Sequence, residues 1–319
     1  MKISLVTPAS PDSRSGNRRT AVRWARILRE LDHDVQVAQV YDGSDTDLMV
    51  AVHAWRSAES IARFRDLHPT APLVVLLAGT DIYRYQSTHP ETTYESMESA
   101  TALVGLHDLV HRSIPDRFAA KLRVIHQSAE PLAVARLPHV KHFDVVVAGH
   151  LREEKDPLRA AYAARGLPET SRVRVLHLGK ALDATWQRDA QEEMRRNPRY
   201  VWRGEVPRWQ VRRAFATSRL LVLSSIMEGG ANVISEAVAA GLPVVASHIE
   251  GSIGLLGADY DGYYAVGDTD ELRRVLLRAE SDQGFLATLE SRCHARAPLF
   301  APSRERAAWI ELLRDLQKR

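Results

Sequence analysis

Cysteine is almost missing from the chain: Cys293 is the one cysteine in 319 residues. An internal disulfide and a cysteine-ligated metal cluster are therefore excluded, and packing is the role expected of this thiol. Lysine is nearly as scarce, with six among 43 basic residues. The arginine bias lowers the weight of any single arginine as a signal and raises that of a lysine. No apolar run approaches the length of a bilayer span, and Met1-Lys2-Ile3-Ser4 leads into a strand pattern without the features of a signal peptide. The expectation is a cytoplasmic protein with no membrane partner. A long basic run and a basic patch interleaved with aromatics are also missing. The pI is near 9.0 but the formal net charge is only +3, so nucleic acid is not an expected partner. There is no internal repeat and no low-complexity tract. With 45% hydrophobic residues, the chain has room for two ordinary domains with cores of their own.

What the chain does have is an alternation of short apolar runs with helical patterns. The clearest case is residues 220–247, LLVLSSIMEGGANVISEAVAAGLPVVAS. Leu220-Leu221-Val222-Leu223 suits a strand buried on both faces of a parallel sheet. From 231 to 240, Val233, Ile234, Ala237 and Val238 recur at helical spacing. Gly241 stops that helix, Pro243 bars its continuation, and Val244-Val245-Ala246 makes the next strand of a βαβ unit. Gly229 and Gly230 let a ligand approach the backbone closely. The N–H groups from Gly229 through Ala231, Asn232 and Val233, with the positive dipole end of the helix, favour a phosphate there. Glu228 lies just before the helix and Glu236 two turns inside it, so two carboxylates reach different parts of one extended ligand. That combination suits a sugar nucleotide. In a chain that is 26% charged, such an acid pair alone also arises on solvated helix faces. The preceding strand, the Gly-Gly turn and Gly241-Leu242-Pro243-Val244-Val245 make the pattern specific.

The first half opens with a strand at 2–7, a polar turn from Pro8 to Asn17, and a helical pattern through Val22, Ala25, Leu28 and Leu31. The turn carries Ser13, Arg14, Ser15, Gly16, Asn17 and Arg18, and strand, loop and helix start together make an anion cradle. A solvated loop accounts equally for these residues. The glycine spacing of a dinucleotide fingerprint is absent, which disfavours a nicotinamide dehydrogenase. Strands are expected at 35–40, 47–52 and 72–77. His53 and Thr80-Asp81 fall at strand carboxyl ends, where ligands collect in α/β sheets. A core or capping histidine and a turn-capping aspartate remain open for them. His107 and His111 lie four apart on an expected helix, but no glutamate completes a zinc motif, so surface or core histidines are expected and no metal site. A strand at 122–125 closes this half, and Pro131 and Pro138 bracket a linker.

In the second half a strand at 143–149 leads into His150-Leu151-Arg152-Glu153-Glu154-Lys155-Asp156-Pro157. Strands at 173–178, 200–203 and 260–266 follow. Near the end, Ser303 caps an amphipathic helix with Trp309, Leu312, Leu313 and Leu316.

Residues 220–247 and the turn Gly149 to Lys155 resemble the donor-binding elements of the retaining glycosyltransferases of family 4. The resemblance is close in the second half of the chain and looser in the first. It implies an α/β GT-B fold: two Rossmann-like βαβ domains facing a cleft, at 1–138 and 139–297, with a helix at 298–319 crossing back to pack on the first domain. It implies further that Glu228 contacts the donor sugar, Glu236 binds the ribose hydroxyls, Arg152 and Lys155 hold the diphosphate, and Val206 in Gly204-Glu205-Val206-Pro207 flanks the nucleobase. Breaking a sugar–phosphate bond leaves negative charge on the β-phosphate, and fixed cations stabilise it. Arg152, Lys155 and Glu228 are thus the expected catalytic residues. No metal or cofactor is required beyond the UDP-sugar co-substrate, because these two cations stand where a metal would. Many members also carry a histidine and an HG-x-D-like turn near the positions of His53 and Thr80-Asp81; here Ala78 stands where the second histidine often does.

Within this family, the short length, the opening VTPASPDSRSGNRRTA and the LAGTDIY turn are similar to the selenosugar synthases of selenoneine biosynthesis. That likeness implies transfer of a sugar from UDP-GlcNAc or UDP-glucose to selenophosphate, making a carbon–selenium bond and releasing UDP and phosphate. Composition and spacing indicate only a sugar-nucleotide site and an anion-friendly loop. Selenophosphate is already anionic and polarizable, so positioning matters more than a base. Gly16 and Asn17 would lie near it, Arg14, Arg18 or Arg19 would pair its phosphoryl oxygens, and Ser15, His53, Thr80 and Asp81 would complete the acceptor side. The other readings are an ordinary glycosyltransferase acting on a hydroxyl or thiol, and a non-catalytic sugar-nucleotide-binding protein. Glu228, Glu236, Arg152 and Lys155 together argue against the last. A monomer is compatible with the sequence.

Overall fold

Short strands with apolar residues at consecutive positions need cover on both faces, and parallel sheets flanked by helices supply it. The computed structural model describes residues 1–13 and 15–318 and contains two such sheets. The first consists of β1 (Lys2–Val6), β2 (Asp34–Ala38), β3 (Leu48–Val52), β4 (Leu73–Leu76), β5 (Ala102–Gly105) and β6 (Leu122–Val124), in the order β2-β1-β3-β4-β5-β6. The second consists of β7 (Phe143–Ala148), β8 (Val173–Leu178), β9 (Tyr200–Trp202), β10 (Leu220–Leu223), β11 (Val244–Ser247) and β12 (Tyr263–Tyr264), in the order β12-β11-β10-β7-β8-β9. Every strand pair is parallel. All carboxyl ends of a sheet therefore lie on one edge.

Contacts divide the chain into two units. One comprises Met1–Gln127, Glu228–Ala231 and the C-terminal segment from Pro302; the other comprises Ser128–Met227 and Asn232–Ala301. In the first unit, side-chain alternation along β1 and β3 builds a core on each face. Ile3, Leu5, Leu48, Val50 and Val52 join Trp24, Leu28, Trp309, Leu312 and Leu313 on one side. Val6, Met49 and Ala51 join Tyr41, Ile61, Phe64, Met97 and Phe118 on the other. The C-terminal helix Pro302–Gln317 belongs to this unit. Trp309 meets Trp24 edge to face with ring centroids 4.9 Å apart, and buried Glu305 accepts from the Trp24 indole at 2.8 Å and pairs with Arg23 at 2.9 Å.

Several details differ from the sequence expectation. β5 was not anticipated: ALVG has only four residues, too few to show a period, although all four are buried. His107 consequently lies in the loop that follows β5, and His111 in a 3₁₀ turn, Val110–Ser113, rather than together on a helix. Val22, expected on an apolar face, is 49% exposed, because Trp24 takes the inward position of the Gly16–Arg29 helix. The expected strand at 260–266 shrinks to two residues: Tyr260 instead turns its ring beneath Gly262 and its hydroxyl meets the Val244 backbone. Residues 128–138, assigned to the first half from their prolines, make their contacts in the second unit. Arg136 there donates to the Gly241 carbonyl at 2.5 Å and the Ser218 carbonyl at 2.8 Å, and Arg212 donates to the Glu130 carbonyl at 3.0 Å. No helix among the described residues is long and apolar enough to cross a membrane.

Candidate active site

In the first unit, β3 and β4 run side by side and release the chain at the same edge. His53 follows β3 and Ala78-Gly79-Thr80-Asp81 follows β4. The fully buried Asp81 carboxylate accepts from the backbone N–H groups of Ala54 at 2.8 Å, Trp55 at 3.0 Å and Ala78 at 2.9 Å. Its Oδ1 also lies 2.7 Å from His53 Nδ1. A carboxylate has only acceptors, so His53 Nδ1 carries the proton and donates to it. The Arg56 N–H, 3.1 Å from that nitrogen, then has no lone pair to meet. His53 Nε2 faces Thr80 Oγ1 at 2.9 Å. His53 has a φ of +82°, a strained conformation for this residue type that persists because Asp81 ties the two turns together. His53, Thr80 and Asp81 therefore form one hydrogen-bonded group.

The same unit contains the segment Glu228–Ala231. A Cβ built on Gly79 would sit 2.4 Å from the Gly229 nitrogen, and one built on Gly229 would sit 2.4 Å from the Gly79 nitrogen. At Gly230, φ is +131° and a Cβ would lie 2.4 Å from Leu106 Cβ. On the sequence these glycines were expected to admit a ligand to the backbone. In the structure, protein backbone and Leu106 occupy their open sides. Buried Glu228 is thereby held against the turn that carries Thr80 and Asp81.

The Gly16–Arg29 helix starts at Ser15, whose hydroxyl accepts from Arg18 N–H at 3.4 Å. Gly16 and Asn17 open the helix; Arg18 and Arg19 follow, and its first turn contains no acid. Arg14 lies outside the described residues.

In the second unit, the turn after β7 is short and tightly bonded. Lys155 N–H donates to the Arg152 carbonyl at 3.0 Å across the 3₁₀ turn Glu153–Lys155. Asp156 ends it with φ +41°, its carboxylate gripped by Arg159 at 2.7 and 3.3 Å, and Arg159 reaches Thr269 Oγ1 at 2.6 Å. Arg159 thus offsets the acid beside Lys155. Ile226 N–H donates to the Glu154 carbonyl at 2.9 Å, tying this turn to the end of β10. Arg152 is 45% exposed and only loosely paired with Glu154, at 3.9 Å. Glu236 is half-buried on the Asn232–Ala239 helix, whose Ile234, Ser235, Ala237 and Val238 face the core. Asn232 and Val233 form its first positions, and Ala231 precedes it. Val206 is half-buried in the turn after β9, which is fixed to β8 by Gly179 N–H donating to the Gly204 carbonyl at 2.8 Å and by the Trp202 indole donating to the Gly179 carbonyl at 2.8 Å.

One buried polar group escaped sequence reasoning. His177 is buried in β8, with Nδ1 2.9 Å from the Tyr200 hydroxyl and Nε2 3.1 Å from the Gly149 carbonyl. The carbonyl only accepts, so Nε2 holds the proton and Nδ1 accepts from Tyr200. Burial lowers the His177 pKa to about 4. The available signal was a lone histidine inside the apolar run VRVLHL. The His107 and His111 pair does not make a metal centre: His107 faces Tyr83, His111 faces the Asp108 carbonyl, and no metal-holding cluster occurs among the described residues.

Comparison with known proteins gives a consistent pattern. The profile of the family described as glycosyl transferases group 1 matches residues 132–298, just over half the chain. No curated protein sequence gives a significant match. Among solved structures, the HepE protein of Anabaena in complex with UDP and glucose aligns with a TM-score of 0.78 at 16% identity, covering 99% of this chain and 100% of that one. The sucrose-phosphate synthase of Thermosynechococcus elongatus aligns with a TM-score of 0.82 at 17% identity and 99% coverage of both chains. A glycosyltransferase of Rickettsia africae gives 0.76 at 12% identity, with 99% and 98% coverage.

Proposed function

Because the chain belongs to the group 1 glycosyl transferases and has their GT-B fold, we propose that it transfers glucose or N-acetylglucosamine from the UDP-sugar to selenophosphate. The donor half rests on Arg152, Lys155 and Glu236 lying inside the matched region with Glu228, at the carboxyl ends of parallel strands or at the adjoining helix. That HepE of Anabaena binds UDP and glucose supports a UDP-sugar. Val206 would flank the uracil, Glu236 the ribose, and Gly229, Gly230, Ala231, Asn232 and Val233 the phosphates. No metal is required in this scheme.

The acceptor half is carried by the first helix. Arginines at a helix N-terminus oppose the positive end of the dipole, and acids are favoured there. Arg18 stands there, and the first turn of the helix contains no acid. A bound anion offsets that cost, and selenophosphate is an anion. In the reaction, the bond from sugar C1 to the β-phosphate oxygen breaks and its electron pair leaves with UDP, where Arg152 and Lys155 stabilise it. A selenium lone pair forms the C1–Se bond. Water then attacks phosphorus, the P–Se bond breaks with its pair kept on selenium, and phosphate departs. Arg14, Ser15, Gly16, Asn17 and Arg18 would hold the phosphoryl oxygens, with His53, Thr80 and Asp81 beside them.

One observation favours a second reading. The Asp81–His53 pair is the arrangement that orients a general base, as a hydroxyl acceptor requires. UDP release from UDP-GlcNAc and UDP-glucose separates the two. Stimulation of release at least tenfold by selenophosphate but not by orthophosphate supports the first. Release stimulated by a hydroxyl acceptor and indifferent to selenophosphate overturns it.

A further inference from the structure

A threonine just ahead of a helix ordinarily turns its hydroxyl onto the first open backbone N–H groups. Thr80 holds that position before the segment Asp81–Tyr85, yet its hydroxyl makes no capping bond. It meets His53 Nε2 instead, at 2.9 Å. Because His53 Nδ1 donates to the Asp81 carboxylate at 2.7 Å, Nε2 carries the lone pair and the Thr80 hydroxyl is the donor. Hydroxyl, imidazole and carboxylate thus stand in series, each proton aimed at the next group. Burial follows the same order: Asp81 is 0% and His53 1% exposed, and Thr80 is half-buried.

The series is held in place from several sides. Asp81 accepts from the backbone N–H groups of Ala54, Trp55 and Ala78, which keeps it from turning away from the ring. His53 keeps a φ of +82°, a costly conformation of the kind that persists at functional sites. Asp81–Tyr85 is wound as a π-helix, a rare form that is frequent at such sites. The backbone bonds of Asp81 already tie the two turns together, and a tie alone needs no imidazole with a hydroxyl on its far nitrogen.

A threonine hydroxyl is a weak nucleophile until a base within hydrogen-bond reach, itself oriented by a third group, takes its proton. The proposed reaction has a step that needs such a nucleophile: once the C1–Se bond has formed, selenium still carries the phosphoryl group. We propose that Thr80 is the catalytic nucleophile that removes this phosphoryl group, with His53 as its base and Asp81 holding His53. This rests on the selenophosphate reading of the acceptor site. Thr80 Oγ1 attacks phosphorus while its proton passes to His53 Nε2. The P–Se bond breaks with its electron pair on selenium, which takes the proton from His53 and leaves as the selenol. Water then attacks the phosphothreonine and gives a proton to His53. The P–Oγ1 bond breaks with its pair on oxygen, His53 returns the proton to Oγ1, and phosphate departs. Water enters and phosphate leaves as in the overall reaction, through two displacements at phosphorus.

The test follows the phosphoryl group. The unaltered protein, Thr80→Val and Thr80→Ser are incubated with UDP-N-acetylglucosamine or UDP-glucose and fresh selenophosphate, with a thermal melt of each. Samples are quenched in acid over a time course, and protein and sugar products are weighed by mass spectrometry. The unaltered protein is expected to gain one HPO3 group on the peptide that contains Thr80. Thr80→Val removes the hydroxyl and keeps the shape, and should raise the ratio of phosphate-bearing to phosphate-free selenosugar at least about tenfold. Thr80→Ser keeps a nucleophile and should return that ratio to within about threefold of the unaltered protein. A ratio in Thr80→Val that matches the unaltered protein overturns the proposal, and so does the absence of a modified Thr80 peptide at every quench time; the second arm decides alone if Thr80→Val does not fold. If no selenium enters any product, the selenophosphate reading fails and Thr80 is judged on 4-nitrophenyl phosphate without UDP-sugar. Hydrolysis that falls at least about tenfold in Thr80→Val then supports the nucleophile, and hydrolysis that is absent or indifferent to Thr80 overturns it.

Discussion

Gly79→Ala probes the geometry that holds Glu228. The added methyl group would lie 2.4 Å from the Gly229 nitrogen, 3.0 Å from the Glu228 carbonyl carbon and 3.3 Å from Glu228 Cα. All three are backbone atoms, so no side chain can swing aside. Ordinary contact to a methyl group lies near 3.5 Å, so the Glu228–Gly229 backbone must retreat by about 1 Å. If Glu228 contacts the reacting sugar as proposed, a displacement of about 1 Å there costs on the order of 100-fold in rate. The expected result is a kcat/KM about 100-fold lower. UDP affinity should fall by much less than the rate, because, of the proposed UDP contacts, Gly229 is displaced while Glu236, Arg152 and Lys155 stand on elements that the methyl group does not touch. The assay is steady-state UDP release, with calorimetric UDP binding and a thermal melt on the same preparation. A kcat/KM within threefold of the unaltered enzyme would refute the reasoning, and so would a loss of UDP binding in step with activity.

Further expectations follow from the same structure. Glu236→Ala should weaken UDP about tenfold, the loss expected for a carboxylate proposed to bond the ribose hydroxyls; unchanged calorimetric affinity removes that assignment. Lys155→Ala should lower kcat by about 100-fold or more with KM nearly unchanged, as expected for a charge that acts mainly on the developing phosphate anion; a normal kcat ends that role. His177 should make the protein acid-sensitive. Its pKa is about 4 when folded against 6.5 when free, so the unfolded chain binds more protons between these values and stability falls as pH drops from about 6.5 to about 4. The loss from this residue is about 3 kcal/mol and should be absent from urea titrations of His177→Gln over the same range; identical slopes in the two proteins would contradict it. Glu305→Ala removes the acceptor for the Trp24 indole and the partner of Arg23, and should cost about 3–5 kcal/mol. Hydrogen exchange should then rise first in the Pro302–Gln317 helix, and protection unchanged there would show that the pair contributes little.

The parts of the fold that repeat were the most legible. Central strands such as β8 and β10 are apolar over most of their length and end at turns rich in glycine or charge, so their limits in the structure coincide with those expected from sequence. β5 went unseen because four residues carry no period, and the Tyr260 region was misread because an aromatic run suits a strand or a capping ring equally well. Candidate site residues are easiest to mark where chemistry and local pattern agree, as for the Arg152–Lys155 turn. The reason for a residue was harder to see than its place. Gly229 and Gly230 were marked for ligand approach to their N–H groups, and nothing in the sequence showed that their open sides also receive the backbone of Gly79 and the side chain of Leu106, far away along the chain. Asp81 was open to a simple capping role, and its actual bonds reach back to residues 53–55 through the pairing of β3 with β4. His177 shows the same limit: its partners at 149 and 200 become neighbours only once three strands are aligned.

The most direct measurement of the central claim is a mass spectrum of the products after incubation with UDP-N-acetylglucosamine or UDP-glucose, with and without fresh selenophosphate. The account predicts a hexose or N-acetylhexosamine product bearing the selenium isotope pattern, formed in step with UDP and only when selenophosphate is present. UDP-sugar consumed with the sugar appearing on an oxygen acceptor, and no selenium in any product, would contradict it.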